Sequence, residues 1–174
     1  VELATGLLAD FPARFGGSWR TGMRAKLGLA TEDDADGDLF DDLLQAMHDQ
    51  GADHTTTFRS LSSVVRGDAT PLQDQLRDRA ALGPWLERYS ARLAAEGRPA
   101  PEVAAGMDRA NPVYIPRNHL VDEALTAATA GEMGPVGDLL AAVTDPFEER
   151  PGLDRYALPA PTAFGESFQT FCGT

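Results

Sequence analysis

The sequence predicts an all-α protein, an irregular multi-helix bundle that ends in an extended, proline-rich C-terminal tail. Three observations lead there. Apolar residues recur at three- and four-residue spacing along most of the chain. No stretch sustains the two-residue alternation of a half-buried strand. Glycine and proline fall mainly at the ends of the apolar runs, where helices stop and start. At 174 residues the chain is long enough for one compact domain, and folding at this size buries roughly 70% of the unfolded surface.

The first run places Leu3, Leu7, Phe11, Phe15, Trp19, Met23 and Leu27 at four-residue steps, largely on one helical face. Pro12 and the Gly16-Gly17 pair interrupt it. An internal proline removes a backbone bond and clashes with the preceding turn at a cost of about 3 kcal/mol, so a kink or break is expected there. Gly28 is the expected C-cap. An acidic lead-in precedes the second helix, which carries Leu39, Phe40, Leu43, Leu44 and Met47 on one face and ends at Gly51. Asp53 or one of the threonines after it caps a third helix with Phe58, Leu61, Val64 and Val65 inward, closed by Gly67. Gly83-Pro84 opens a helix carrying Trp85, Leu86, Tyr89 and Leu93, with proline where its missing N–H costs least. Glu96-Gly97-Arg98-Pro99 ends it, and a short helix runs from Pro101 towards Arg109.

The stretch "NPVYIPRN" is forced open, because the residue before each proline, Asn111 and Ile115, disfavours the α region. The next helix turns Leu120, Val121, Ala124, Leu125 and Ala128 inward. The one started by Gly134-Pro135 does the same with Val136, Leu139, Leu140 and Val143, until Asp145-Pro146 stops it. Beyond it, Phe147, Tyr156, Phe164, Phe168 and Phe171 are expected to anchor the tail to the helices.

Charge narrows the range of partners. Acidic residues outnumber basic ones 27 to 15, a formal charge of −12, which repels phosphate backbones and anionic lipid. No nucleic acid and no membrane are therefore expected as partners. No apolar run reaches the roughly 20 residues of a bilayer span and no basic n-region opens the chain, so a cytoplasmic location is expected. The chain starts at Val1 inside a helical pattern, which suggests further sequence before it. One cysteine, Cys172, cannot form an internal disulfide, in keeping with a reducing compartment.

Little in the sequence points to chemistry. "EDDADGDLFDDL" sets Asp34, Asp36 and Gly37 at positions of a calcium loop, but Leu43 stands where a bidentate carboxylate is needed. Those carboxylates are expected to cap the second helix and complement its dipole. His48, His54 and His119 lack metal-ligand spacing, and no metal or cofactor is expected on this chain. No phosphate-binding glycine loop and no kinase DFG or HRD element is present. Arg117-Asn118 after Pro116 reads as a helix cap with a surface ion pair more readily than as an anion site. Trp19 and Trp85 fit core stripes. A Cys172–His nucleophile would be poorly preorganised near a terminus.

Four separated segments carry a resemblance: "MRAKLGL" (Met23 to Leu29), "DHTTTFRSLS" (Asp53 to Ser62), "NPVYIPRNHLVDEAL" (Asn111 to Leu125) and the terminal "FCGT". Together they resemble the C-terminal region of the selenoprotein O family, pseudokinase-like protein adenylyltransferases. His54 departs from the aromatic residue more usual there. The resemblance implies that residues 1–146 are a helical C-terminal domain of a larger kinase-like enzyme and residues 147–174 a tail packed on it. Such an enzyme transfers AMP from ATP, with Mg or Mn, to serine, threonine or tyrosine hydroxyls of protein substrates. The nucleotide- and metal-binding residues of the family lie upstream, so no catalytic residue transfers to this chain, which is expected to be inactive alone and to pack against the upstream kinase-like domain. Selenocysteine or cysteine near the family's C-terminus matches Cys172, which implies a redox pairing with a cysteine outside this chain. A freestanding acidic helical module that binds a basic protein is the alternative expectation.

Overall fold

The computed structural model describes residues 2–169. Among these residues the chain forms helices and no strand: α1 (Glu2–Leu27), α2 (Asp36–Gln50), α3 (His54–Val65), α4 (Thr70–Gln73), α5 (Gly83–Glu96), α6 (Ala100–Ala110), α7 (Asn118–Thr129), α8 (Gly134–Thr144), α9 (Asp154–Ala157) and α10 (Thr162–Ser167). The all-α expectation holds. No described helix is long and apolar enough to cross a membrane. The helices fall into two compact units, Val1–Asn111 and Pro112–Thr174.

In the first unit α3 packs on α6, α4 and α1, α6 also packs on α1, and α2 packs on α5. The stripes that the sequence sets inward meet there, with Leu27, Phe40, Leu43, Phe58, Leu61, Leu72 and Met107 wholly excluded from water. Such side chains each contribute about 1.5–3 kcal/mol relative to exposure. Trp85 stacks on Tyr89 with ring centroids 4.9 Å apart. Burying those rings leaves their polar atoms to be satisfied. Trp85 Nε1 donates to the Leu39 carbonyl at 2.8 Å, and Tyr89 Oη donates to the Leu27 carbonyl at 2.7 Å. Trp19 is partly buried, edge-on to Phe40.

α1 runs unbroken through Pro12, where a kink or break was expected, and Gly16 and Gly17 keep negative φ. Residues 9–15, which include Pro12, are exposed to water, where a backbone group without an intrahelical partner costs little. The helix stops at Gly28, whose φ is 72°, while the Leu29 N–H reaches back to the Arg24 carbonyl at 2.9 Å. A Cβ on Gly28 would lie 2.6 Å from Val103 Cγ1 and 2.9 Å from Met107 Cγ. Glycine is therefore required twice over, by the left-handed backbone and by the close approach of α6. The Asp53 cap forms as expected, its carboxylate accepting the Thr56 N–H at 2.9 Å.

The second unit is built on α7 packed against α8. Its core consists of Val113, Tyr114, Leu120, Ala124, Leu139, Ala142 and Tyr156. Leu125 and Leu140, expected inward, are 61% and 58% exposed. Each sits one position beyond a buried residue, about 100° around the helix, and the seam between α7 and α8 is too narrow to cover both. The Asn111 backbone is extended, as its proline neighbour requires. The opened segment gives its N–H groups to one acceptor, the Pro146 carbonyl, at 2.7 Å from Val113 and 3.2 Å from Tyr114. In the stretch expected to be extended, α9 and α10 form two short helices. Tyr156 anchors as expected, Phe164 stacks on Phe168 at 4.7 Å, and Phe147 is 39% exposed. Phe171 lies outside the described residues.

Candidate functional site

Two of the quoted segments and the first residue of a third meet in the first unit. "MRAKLGL" forms the last turn of α1 and its stop, "DHTTTFRSLS" forms the cap and body of α3, and Asn111, which heads the third segment, follows α6. Asn111 is 1% exposed. Its Nδ2 donates to the Lys26 carbonyl at 2.8 Å and its Oδ1 accepts from Lys26 Nζ at 3.4 Å. Its own carbonyl, and that of Asp108, accept from Arg59 Nη1 at 3.2 and 3.0 Å. One buried amide thus ties α1, α3 and α6 together. A buried polar group of this kind costs 1–3 kcal/mol when left unpaired, which makes the pairing specific.

Lys26 is half-buried, with its ammonium 5.1 Å from the centroid of Phe58. No described carboxylate pairs with it, and burial lowers its pKa. His54 lies on Phe58 with ring centroids 4.7 Å apart and its outer edge exposed. The loss of water on the packed face lowers its pKa, the Lys26 charge lowers it further, and Asp53 opposes both. Burial would raise the Asp108 carboxyl, but hydrogen bonds from Arg66 and Ser62 and the charge of Arg59 bring it below the usual carboxylate range. The junction holds cations, amides and two partnered carboxylates, Asp53 and Asp108.

A second polar cluster fastens the loop between α1 and α2. Glu96, at the end of α5, accepts the backbone N–H groups of Ala30 and Thr31 at 3.0 and 2.9 Å and the Thr31 hydroxyl at 2.8 Å. Arg92 reaches Glu96 Oε1 at 3.0 Å, Asp36 Oδ1 at 2.8 Å and the Thr31 carbonyl at 2.8 Å. The Asp36 and Glu96 side chains are each 3% exposed. Burial pushes the Glu96 carboxyl up, but the Thr31 and Ala30 amides, the Thr31 hydroxyl and Arg92 outweigh it and bring the pKa to about 2. Asp36, a residue of the calcium-like stretch, is thereby engaged by Arg92. The cap expected from that stretch takes another form, because Ala35 occupies the N-cap position without a side-chain bond. Asp36 and Asp38 still lie in the first turn of α2, where negative charge suits the dipole. Beside them an open cleft of about 490 Å³ is lined by Arg20, Arg24, Glu32, Asp33, Asp34, Asp36 and Gly37, and Arg24 pairs with Glu32 across it at 2.5 Å.

In the second unit Arg117 is 7% exposed and donates to the Ala157 carbonyl at 3.2 Å. Asn118, expected to cap, is instead the first residue of α7, because the extended backbone of Arg117 takes the cap position. His119 sits edge-on to Phe164 at 5.9 Å. Its pKa is lowered by burial and by the Arg117 charge, against Glu123. His48 is exposed in the last turn of α2. Among the described residues no three His, Cys, Asp or Glu side chains converge to hold a metal ion. The redox candidate Cys172 lies outside the described residues. Reading the sequence alone did not single out Lys26, Arg59, Arg92, Glu96 or the role of Asn111. For Lys26, Arg59 and Asn111 the signal was available, since each stands inside one of the quoted segments.

A family model described as "Protein adenylyltransferase SelO" matches residues 2–144. A protein of Rhodococcus jostii named "Protein nucleotidyltransferase YdiU" is 49% identical over 174 residues, all of this chain and 34% of that protein. Proteins of the same name from Cereibacter sphaeroides and from a Mycobacterium species are 50% and 49% identical, again over all of this chain and over 35% and 34% of their own length. The chain spans about a third of the length of these curated relatives.

Proposed function

The chain belongs to the protein adenylyltransferase SelO family, and we propose on that premise that it is the C-terminal helical portion of a larger enzyme that adenylylates proteins. In that reaction a serine, threonine or tyrosine oxygen of the protein substrate bonds to the α-phosphorus of ATP, and pyrophosphate leaves. The observation that carries this reading is the Asn111 junction. Segments that resemble the family converge there on a buried tie between helices, which is what a supporting region needs and a reaction centre does not. The fraction of the relatives' length that this chain covers is in keeping with such a part. ATP and its Mg or Mn are assigned to the kinase-like domain, which this portion packs against.

Full-length enzyme is expected to move the label of α-labelled ATP onto protein, and these 174 residues alone are not. Tight ATP binding with turnover by the isolated chain would overturn the assignment. We further propose that Cys172 pairs with a cysteine of the kinase-like domain, the two thiols losing two electrons to an added oxidant. The motivating observation is a lone thiol near the end of the sequence. Non-reducing mass spectrometry of oxidised full-length protein tests it, and a free Cys172 with undiminished activity rules it out.

A further inference from the structure

One stripe along α1 changes environment partway. Leu27 is 0% and Met23 5% exposed, and Trp19 is partly buried against Phe40. Four and eight residues earlier on the same face, Phe15 and Phe11 are 58% and 61% exposed, their rings stacked 5.8 Å apart. Every residue from Ala9 to Phe15 is exposed. This half of the helix carries the same apolar repeat as the covered half, yet the described residues leave it exposed. Helical segments of this length are marginal in water unless an apolar face is buried. Two stacked aromatic rings also form the type of residue found at the centre of interfaces.

Two facts choose the occupant. The curated relatives are about three times as long as this chain, which covers 34% of the first of them, so the family supplies ample further polypeptide in the same molecule. A second copy is disfavoured, because each chain carries a formal charge of −12 and copies repel. The exposed stretch itself is nearly neutral, with only Asp10, Arg14 and Arg20 charged between residues 9 and 22, and Asp10 pairs with Arg14 at 3.6 Å. Docking within one polypeptide also benefits from a high effective concentration.

We infer that the Phe11–Phe15 face of α1 docks into an apolar surface of the polypeptide that full-length family members carry beyond this region, so that α1 is a shared element of both. This rests on the reading of the chain as part of a larger enzyme. The test is hydrogen exchange on the full-length protein. Amides of residues 9–18 are expected to exchange as slowly as those of residues 19–27, and Phe11→Ser with Phe15→Ser is expected to speed the first group tenfold or more while leaving the second unchanged. Exchange at residues 9–18 at least tenfold faster than at 19–27 in the wild-type protein, or no response to the double substitution, overturns docking. Protection that falls on hundredfold dilution assigns the face to a second copy and overturns it too. Labelled-AMP transfer by the same preparation separates the two readings. An active enzyme with an open α1 refutes docking alone, and an inactive one with a protected α1 refutes the enzymatic assignment alone.

Discussion

Arg92 in the first unit and Arg150 in the second each fasten irregular chain to a helix end, one through carboxylates and the other through carbonyls. Arg92 sits between Asp36 and Glu96, and Glu96 in turn collects the amides of Ala30 and Thr31. Arg150 Nη2 donates to the carbonyls of Ala141, Ala142 and Asp145 at 2.9, 2.9 and 3.0 Å, around the last turn of α8, and its guanidinium lies 5.4 Å from the centroid of Tyr114. Both satisfy groups that a helix end or a loop leaves open. The partners differ in kind. Carboxylates can be discharged by acid and are costly when buried unpaired, whereas carbonyls do not titrate. The first unit has the stronger fastening and also the more vulnerable one.

Removing each cation gives the largest expected contrast. Arg92→Leu leaves Asp36, 3% exposed, without its cation and leaves Glu96 with only Arg98, 3.8 Å away, a loss of about 3 kcal/mol. Arg150→Leu removes bonds to neutral acceptors that lie near solvent, a loss of about 2 kcal/mol. Urea midpoints of the two variants measure this directly, and equal losses would end the distinction. Acid should separate the units next. The Glu96 pKa is about 2 in the folded protein against an ordinary 4.5, so its stabilisation is complete above that ordinary value and is lost as pH falls towards the folded one. Hydrogen exchange is expected to quicken at Ala30 and Thr31 before it quickens at the end of α8. Glu96→Gln should flatten the pH dependence of stability below pH 4.5, and a slope that persists in that variant places the acid sensitivity elsewhere. The smallest effect concerns histidines. Lys26→Met removes a charge that lowers the His54 pKa, so its midpoint in an NMR titration should rise, while His119, governed by burial and by Arg117, Glu123 and Arg155, stays put. An unmoved His54 would show that the Asn111 junction does not couple the two side chains electrostatically.

What the sequence discloses follows the range of the interaction. Gly28 and Asp53 are legible because caps depend on a few neighbouring residues, and both stand where local rules put them. The faces of α2 and α3 are legible because their apolar stripes are wide. Leu125 and Leu140 mislead because periodicity specifies direction without saying how broad the opposing surface is, and theirs is narrow. Pro12 does not break α1, because the proline penalty assumes a backbone group left without a partner, while this part of α1 is open to water. Arg92 and Glu96, four residues apart, carry no local signal that sets them apart. Their importance comes from Asp36 and Thr31, 56 and 61 positions from Arg92, which no local pattern brings together. The Asn111 junction is intermediate. Its bonds join residues 85 positions apart, yet the segments that hold them stand out by resemblance.

Lys26 is the only lysine in the 174 residues. Amine-directed reagents therefore find a single side-chain address in this region, and it is a half-buried amine pressed against Phe58 and hydrogen-bonded to Asn111. Its burial favours the neutral, nucleophilic form, while its packing restricts approach. Acylation at that one nitrogen thus serves as a built-in gauge of whether the joint between α1 and α3 is closed.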